Sequence, residues 1–149
     1  MSAVYRVAPA RVVETFEYLR RCGGGARECQ LLWISPWSAP SRITRVIHPR
    51  HRASAHGFEL DGAWLHEFWS ELSRTDHGVR VQVHSHPRDA FHSTVDDEFP
   101  IIQSTGFLSL VIPNFGTGPV GFEGAYLTEI QHDGRWREVP IASRLEIIE

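Results

Sequence analysis

Nine histidines are spread through the 149 residues, and two of them stand one residue apart in His84-Ser85-His86-Pro87, with Asp96 and Asp97 following. The residues before them, Val79-Arg80-Val81-Gln82-Val83-His84, alternate apolar and polar as a half-buried strand does, valines on one face and Arg80, Gln82 and His84 on the other. Side chains two apart on a strand point the same way, so His84 and His86 can chelate one ion, and Pro87 stiffens the exit. Asp96, near the start of the next expected helix, can supply a third ligand. Imidazole plus carboxylate is the ligand set of catalytic zinc, in which three protein ligands leave one position for water. Water held there becomes acidic enough to act as a nucleophile near neutral pH.

Other metal chemistries fail on named residues. A metallo-β-lactamase-like site would need an aspartate and a histidine where Arg88 and Asp89 stand, and no His-Glu-x-x-His occurs. All 15 basic residues are arginine, so lysine-dependent phosphate binding, Schiff-base chemistry and a carbamylated-lysine metal bridge are all excluded. An amidohydrolase barrel also needs more chain than this.

The elements that must position these residues follow from pattern and punctuation. A helix is expected over 9–22, opened by Pro9, faced by Val12, Phe16 and Leu19, and stopped by Gly23-Gly24-Gly25. The apolar run 29–34 reads as a buried strand, 42–47 as its return, and 48–57 as an irregular loop. Asp61 is the N-cap of a second helix with Trp64, Leu65, Phe68, Trp69 and Leu72 on one face, ended by His77-Gly78. After strand 79–84, a polar loop leads to a short helix over 95–104 and a strand over 107–112. His132-Asp133-Gly134-Arg135 joins two final strands, its Asp-Gly suiting a type I′ turn. The whole is expected to be one mixed α/β (α+β) domain over 1–149.

Composition narrows the partners. A net charge of -3 without a basic stripe argues against nucleic acid, and no apolar run approaches the length needed to span a bilayer. The first residues lack the basic start and apolar core of a signal peptide. Cys22 and Cys29 do not make a disulfide framework, so a cytoplasmic protein with reduced thiols is expected, the cysteines acting as small buried residues and not as nucleophiles.

The run His-Ser-His-Pro, five residues, then Ser93-x-x-Asp96 resembles the signature of the JAMM/JAB (MPN+) metalloproteases, whose usual loop is one residue longer. Counting the usual spacing would select Thr94 and Asp97. Ala90-Phe91-His92-Ser93-Thr94-Val95-Asp96 is similar to a run in endosomal JAMM deubiquitinases, which favours Ser93 and Asp96. Residues 96–100 and 106–113 are similar to stand-alone bacterial JAB proteins encoded beside ubiquitin-like, E1-like and E2-like partners. The resemblance covers most of the chain and implies a cytidine-deaminase-like fold, a mixed curved sheet flanked by helices.

It further implies one catalytic Zn2+ held by His84, His86 and Asp96, Glu28 as general base on an early strand, and Ser93 as donor to the oxyanion. Phe91 and Phe115 would contact substrate. The implied function is a peptidase or isopeptidase cleaving after the C-terminus of a ubiquitin-like protein, with E1-like and E2-like partners and antiphage defence as one setting. Two alternatives stand beside it: processing of a sulfur-carrier (ThiS/MoaD-like) protein at the same site, or a non-catalytic MPN scaffold, which would carry a degenerate motif where this ligand set is intact.

Overall fold

The computed structural model describes residues 3–54, 57–88, 102 and 104–148. Its strands are β1 (Tyr5–Val7), β2 (Gln30–Pro36), β3 (Arg42–Ile43), β4 (Arg45–Ile47), β5 (His51–Ser54), β6 (Gly57–Leu60), β7 (His77–Ser85), β8 (Leu108–Ile112), β9 (Tyr126–Ile130), β10 (Trp136–Glu138) and β11 (Leu145–Ile147), and its helices α1 (Pro9–Gly23) and α2 (Gly62–Arg74). A six-stranded sheet runs β10-β9-β8-β7-β2-β4, antiparallel except where β7 and β8 lie parallel at its middle. A smaller sheet, β11-β1-β3, joins the two ends of the chain.

The large sheet is packed on both faces. Val12, Phe16 and Leu19 of α1 meet Leu31, Trp33, Val81, Val83, Leu110 and Leu127 on one side. Phe68 and Leu72 of α2 meet Leu32, Ile34, Val79, Phe107 and Ile130 on the other, with Trp64 and Trp69 at the margin. A buried hydrogen bond from Trp33 Nε1 to Thr15 Oγ1, 3.0 Å long, ties α1 to the sheet. The expected ends of both helices hold in part. Gly24 takes the left-handed conformation (φ 58°) that closes α1, and Asp61 caps α2 by accepting from Trp64 N–H at 2.9 Å.

Five expectations need correction. The valines of β7 do not share a face. The β2–β7 register slips between Trp33 and Ile34, which leaves Arg80 as an extra residue and sends Val79 to the α2 layer while Val81 and Val83 stay in the α1 layer. His77-Gly78 opens β7 instead of ending α2, which stops at Arg74. The return strand 42–47 divides at Thr44 between two sheets, β3 pairing with β1 and β4 with β2. The stretch 48–57 expected as loop holds β5 and the start of β6, which pair antiparallel. In the β9–β10 hairpin only Gly134 has positive φ (80°), and its N–H bonds Gln131 O, so the loop is a type I turn with a glycine bulge and not type I′. The helix expected over 95–104 lies, but for Ile102 and Ser104, outside the described residues.

Candidate metal centre

The antiparallel register of β2 and β7 builds the site. Gln30 stands opposite His84, and the pairing continues past the end of β2: Ser85 N–H donates to Cys29 O at 3.1 Å, while Ser85 Oγ accepts from Cys29 N–H at 3.0 Å. One step further along that ladder Glu28 faces His86, and its Oε1 lies 3.6 Å from His86 Nε2. Glu28 thus precedes β2 rather than opening it as expected, held by the same ladder. The rings of His84 and His86 are 5.1 Å apart between centroids. Glu28, His84 and His86 are 7%, 1% and 3% exposed, so all three polar groups are taken out of water together.

Burial of this kind needs polar company. Gln30, Gln82 and Ser109 are buried beside the histidines, and Gln82 Nε2 donates to Ser109 Oγ at 3.1 Å. These residues carried no functional expectation from sequence; Gln82 falls on the His84 face by simple alternation, whereas Gln30 joins it only through the β2–β7 register. Ser85 was passed over too; it lies between the histidines on the opposite face, where its hydroxyl fastens the two strands.

The far wall is the turn after β8. His86 N–H donates to Ile112 O, Phe115 N–H to His86 O at 2.7 Å, and Asn114 N–H to Arg88 O at 2.9 Å. Asn114 and Phe115 both adopt left-handed backbone (φ 57° and 53°), a conformation costly for phenylalanine and typical of functional turns. Gly116 follows, also left-handed, so close to α1 that a Cβ there would come within 2.9 Å of Leu19 Cβ. Phe115, expected to touch substrate, is half-buried and bound through its backbone to His86. Phe91, Ser93 and Asp96, with the alternative Asp97, lie outside the described residues, so the structure brings together Glu28, His84 and His86 of the expected set.

Two buried imidazoles with a carboxylate alongside are a donor set that fits a borderline divalent ion. A cavity of about 690 Å3 lies at the other end of β7, lined among others by Trp37, Arg80 and Arg144, away from these donors.

A second feature corrects an expectation. Cys22 and Cys29 are not free thiols; they form a disulfide, with Cα atoms 6.2 Å apart. Two cysteines gave no framework to read, yet they sit at the two ends of the short turn between α1 and β2, which brings them face to face. Among the described residues no helix is long and apolar enough to cross a membrane.

No family model matches the chain. It is 30% identical over 140 residues to "Probable metalloprotease y4jG" of Sinorhizobium fredii, covering 90% of this chain and 86% of that protein. Its fold is similar to the solution structure of DSY2949 from Desulfitobacterium hafniense (TM-score 0.72, 17% identity, 98% of this chain and 94% of the other). It is also similar to AF2198, a JAB1/MPN domain protein of Archaeoglobus fulgidus (TM-score 0.55, 11% identity, 97% and 100%). With its His-x-His at the end of β7 and one residue beyond, a buried glutamate facing it, a mixed sheet between two helices and a metalloprotease relative along nearly its whole length, the chain belongs to the JAMM/JAB (MPN+) metalloprotease family.

Proposed function

We propose that this protein is a zinc-dependent peptidase that hydrolyses the amide bond following the C-terminal tail of a ubiquitin-like protein, in precursor processing or deconjugation within a bacterial conjugation system. The observation that carries the reading is the placement of the Glu28 carboxylate 3.6 Å from His86 Nε2 in a buried site shared with His84. His84 and His86 would hold the ion, with Asp96 as third ligand. Zinc would supply Lewis acidity that makes water nucleophilic near neutral pH.

The rest of the chemistry falls to the chain. Glu28 takes the proton from the attacking water and returns it to the leaving amine, a role its position beside the histidines suits. Ser93 hydroxyl donates to the developing oxyanion. The substrate tail, extended and glycine-rich, would lie along β4, which is an edge of the six-stranded sheet and pairs Ile47 with Leu32 two residues from Gln30. Phe115 and Phe91 would contact that tail.

The test uses fusions of a ubiquitin-like protein and, separately, a sulfur-carrier protein to a reporter. Purified enzyme loaded with zinc should cleave the ubiquitin-like fusion after its tail, and His84→Ala should lose both zinc and cleavage. Preference for the sulfur-carrier fusion would move the substrate assignment. Undiminished cleavage by His84→Ala would overturn the site.

A further inference from the structure

On the opposite face from Glu28, the chain gathers a second set of ligand atoms. Cys22 Sγ, Cys29 Sγ and His51 Nε2 all lie within 4.8 Å of one another, contributed by the end of α1, the approach to β2 and the start of β5. We propose that Cys22, Cys29 and His51 form a second metal site, a thiolate–imidazole site for a zinc-class divalent ion, which opens when the disulfide is reduced.

The geometry is close to what such a site requires. In a tetrahedral zinc centre, bond lengths near 2.3 Å to sulfur and 2.0–2.1 Å to nitrogen put a sulfur and a nitrogen ligand roughly 3.6 Å apart. Cys22 Sγ is already 3.4 Å from His51 Nε2. The two sulfurs must separate to roughly 3.8 Å on the same bond lengths, with Cys29 Sγ settling within reach of the imidazole, from which it is now less than 4.8 Å away. A Cα separation of 6.2 Å permits that by side-chain rotation.

The imidazole is also prepared for the role. His51 Nδ1 lies 2.7 Å from Pro49 O, and a carbonyl oxygen can only accept, so Nδ1 carries the hydrogen. The lone pair is then on Nε2, facing the sulfurs. A ligating histidine whose other nitrogen donates to a backbone carbonyl is the usual outer-shell arrangement of metal sites. His48 packs edge-on against the His51 ring at 5.1 Å and holds its plane. Two thiolates and one imidazole leave a fourth position for water.

The disulfide and the ion exclude each other, because the S–S bond consumes both thiolates. Reduction by a phosphine balances without a further partner: phosphorus takes the oxygen of a water and is oxidised by two electrons, the S–S bond breaks, and the two hydrogens go to the sulfurs. Ion binding then releases both as protons.

Cobalt(II) is the probe, since sulfur-to-cobalt charge-transfer absorption reports thiolate ligands and not the ligand set of His84 and His86. The full-length protein, reduced anaerobically with phosphine, should develop that absorption and bind one more cobalt than the oxidised protein, which should show none. His51→Gln should weaken binding at the thiolate site by about tenfold or more while leaving cobalt uptake by the oxidised protein unchanged. Absence of the charge-transfer absorption in reduced wild-type protein would overturn the proposal with no variant involved. An affinity and spectrum in His51→Gln equal to wild type would overturn it as well.

Discussion

Glu28 and Cys29 are adjacent, yet their side chains serve opposite faces of one sheet. Glu28 reaches His86 on the polar face, with His84, Gln30 and Gln82. Cys29 reaches Cys22 and His51 on the α1 face, within the apolar layer of Phe16 and Leu19. Strand alternation alone makes this division. The polar face gathers oxygen and nitrogen donors from two neighbouring strands, rigid because sheet register sets them. The other face gathers sulfur and nitrogen donors from a helix end, a strand approach and a hairpin, and a covalent bond closes them. Between the two runs a single pair of hydrogen bonds, Cys29 with Ser85. The strand start is therefore a hinge between hydrolytic and thiol chemistry, and the two faces should respond differently to the same kind of insult.

The largest difference is expected in activity. Glu28→Gln keeps the shape of the side chain but removes the base, and should lower kcat/KM of peptide hydrolysis by about 10²–10⁴-fold, the usual contribution of a positioned general base. Cys22→Ser, on the other face, should leave kcat/KM within about twofold of wild type, far below that general-base effect. Steady-state kinetics on the ubiquitin-like fusion checks both; equal losses would erase the distinction between the faces.

In stability the ranking reverses. The disulfide closes a loop with a sequence separation of 7, for which chain-entropy reasoning gives about 2–3 kcal/mol. Denaturant unfolding of Cys22→Ser against oxidised wild type should show that loss. Glu28→Gln should cost less, since the amide fits the same space.

Ser85→Ala cuts the link. It leaves the buried Cys29 N–H without its acceptor, so about 1–3 kcal/mol should be lost. Because that bond also sets the ladder that brings Glu28 to His86, kcat should fall while the unfolding cost stays moderate. A stability loss with unchanged kcat would show that the two faces are independent.

Much of the polar face was legible from sequence and little of the other. His84 and His86 declare themselves through spacing on an alternating strand, and both core helices through their apolar faces, α1 also through its glycine stop. Glu28 was found only through the resemblance, since no local pattern pairs residue 28 with residue 86; sheet register does, and register is a long-range property. The bulge at Arg80 was hidden because an extra residue leaves the apolar–polar alternation of 79–84 intact while changing which layer Val79 enters. The cysteines were misread because composition suggests a redox compartment, whereas the glycine turn between α1 and β2 determines their distance. β1 and β11, three residues each, pair with one another across the whole length of the chain and carry no periodicity to read.

The smallest effect is the dependence of stability on pH contributed by the thiol face. Burial lowers the pKa of both His48 and His51 from the ordinary value of 6.5, and each imidazole's neighbour or carbonyl contact adjusts that only secondarily. Between the unfolded and folded pKa values the unfolded chain binds more protons, so stability falls as pH drops below about 6.5 and levels off beneath the folded values. Above that window both states are neutral and the contribution is flat. Denaturant midpoints of oxidised wild type and of a His48→Gln/His51→Gln variant, taken at about pH 7.5 and about pH 5, isolate this share. The wild type should lose more stability on acidification than the variant. An identical loss in both would show that His48 and His51 contribute nothing to the acid sensitivity.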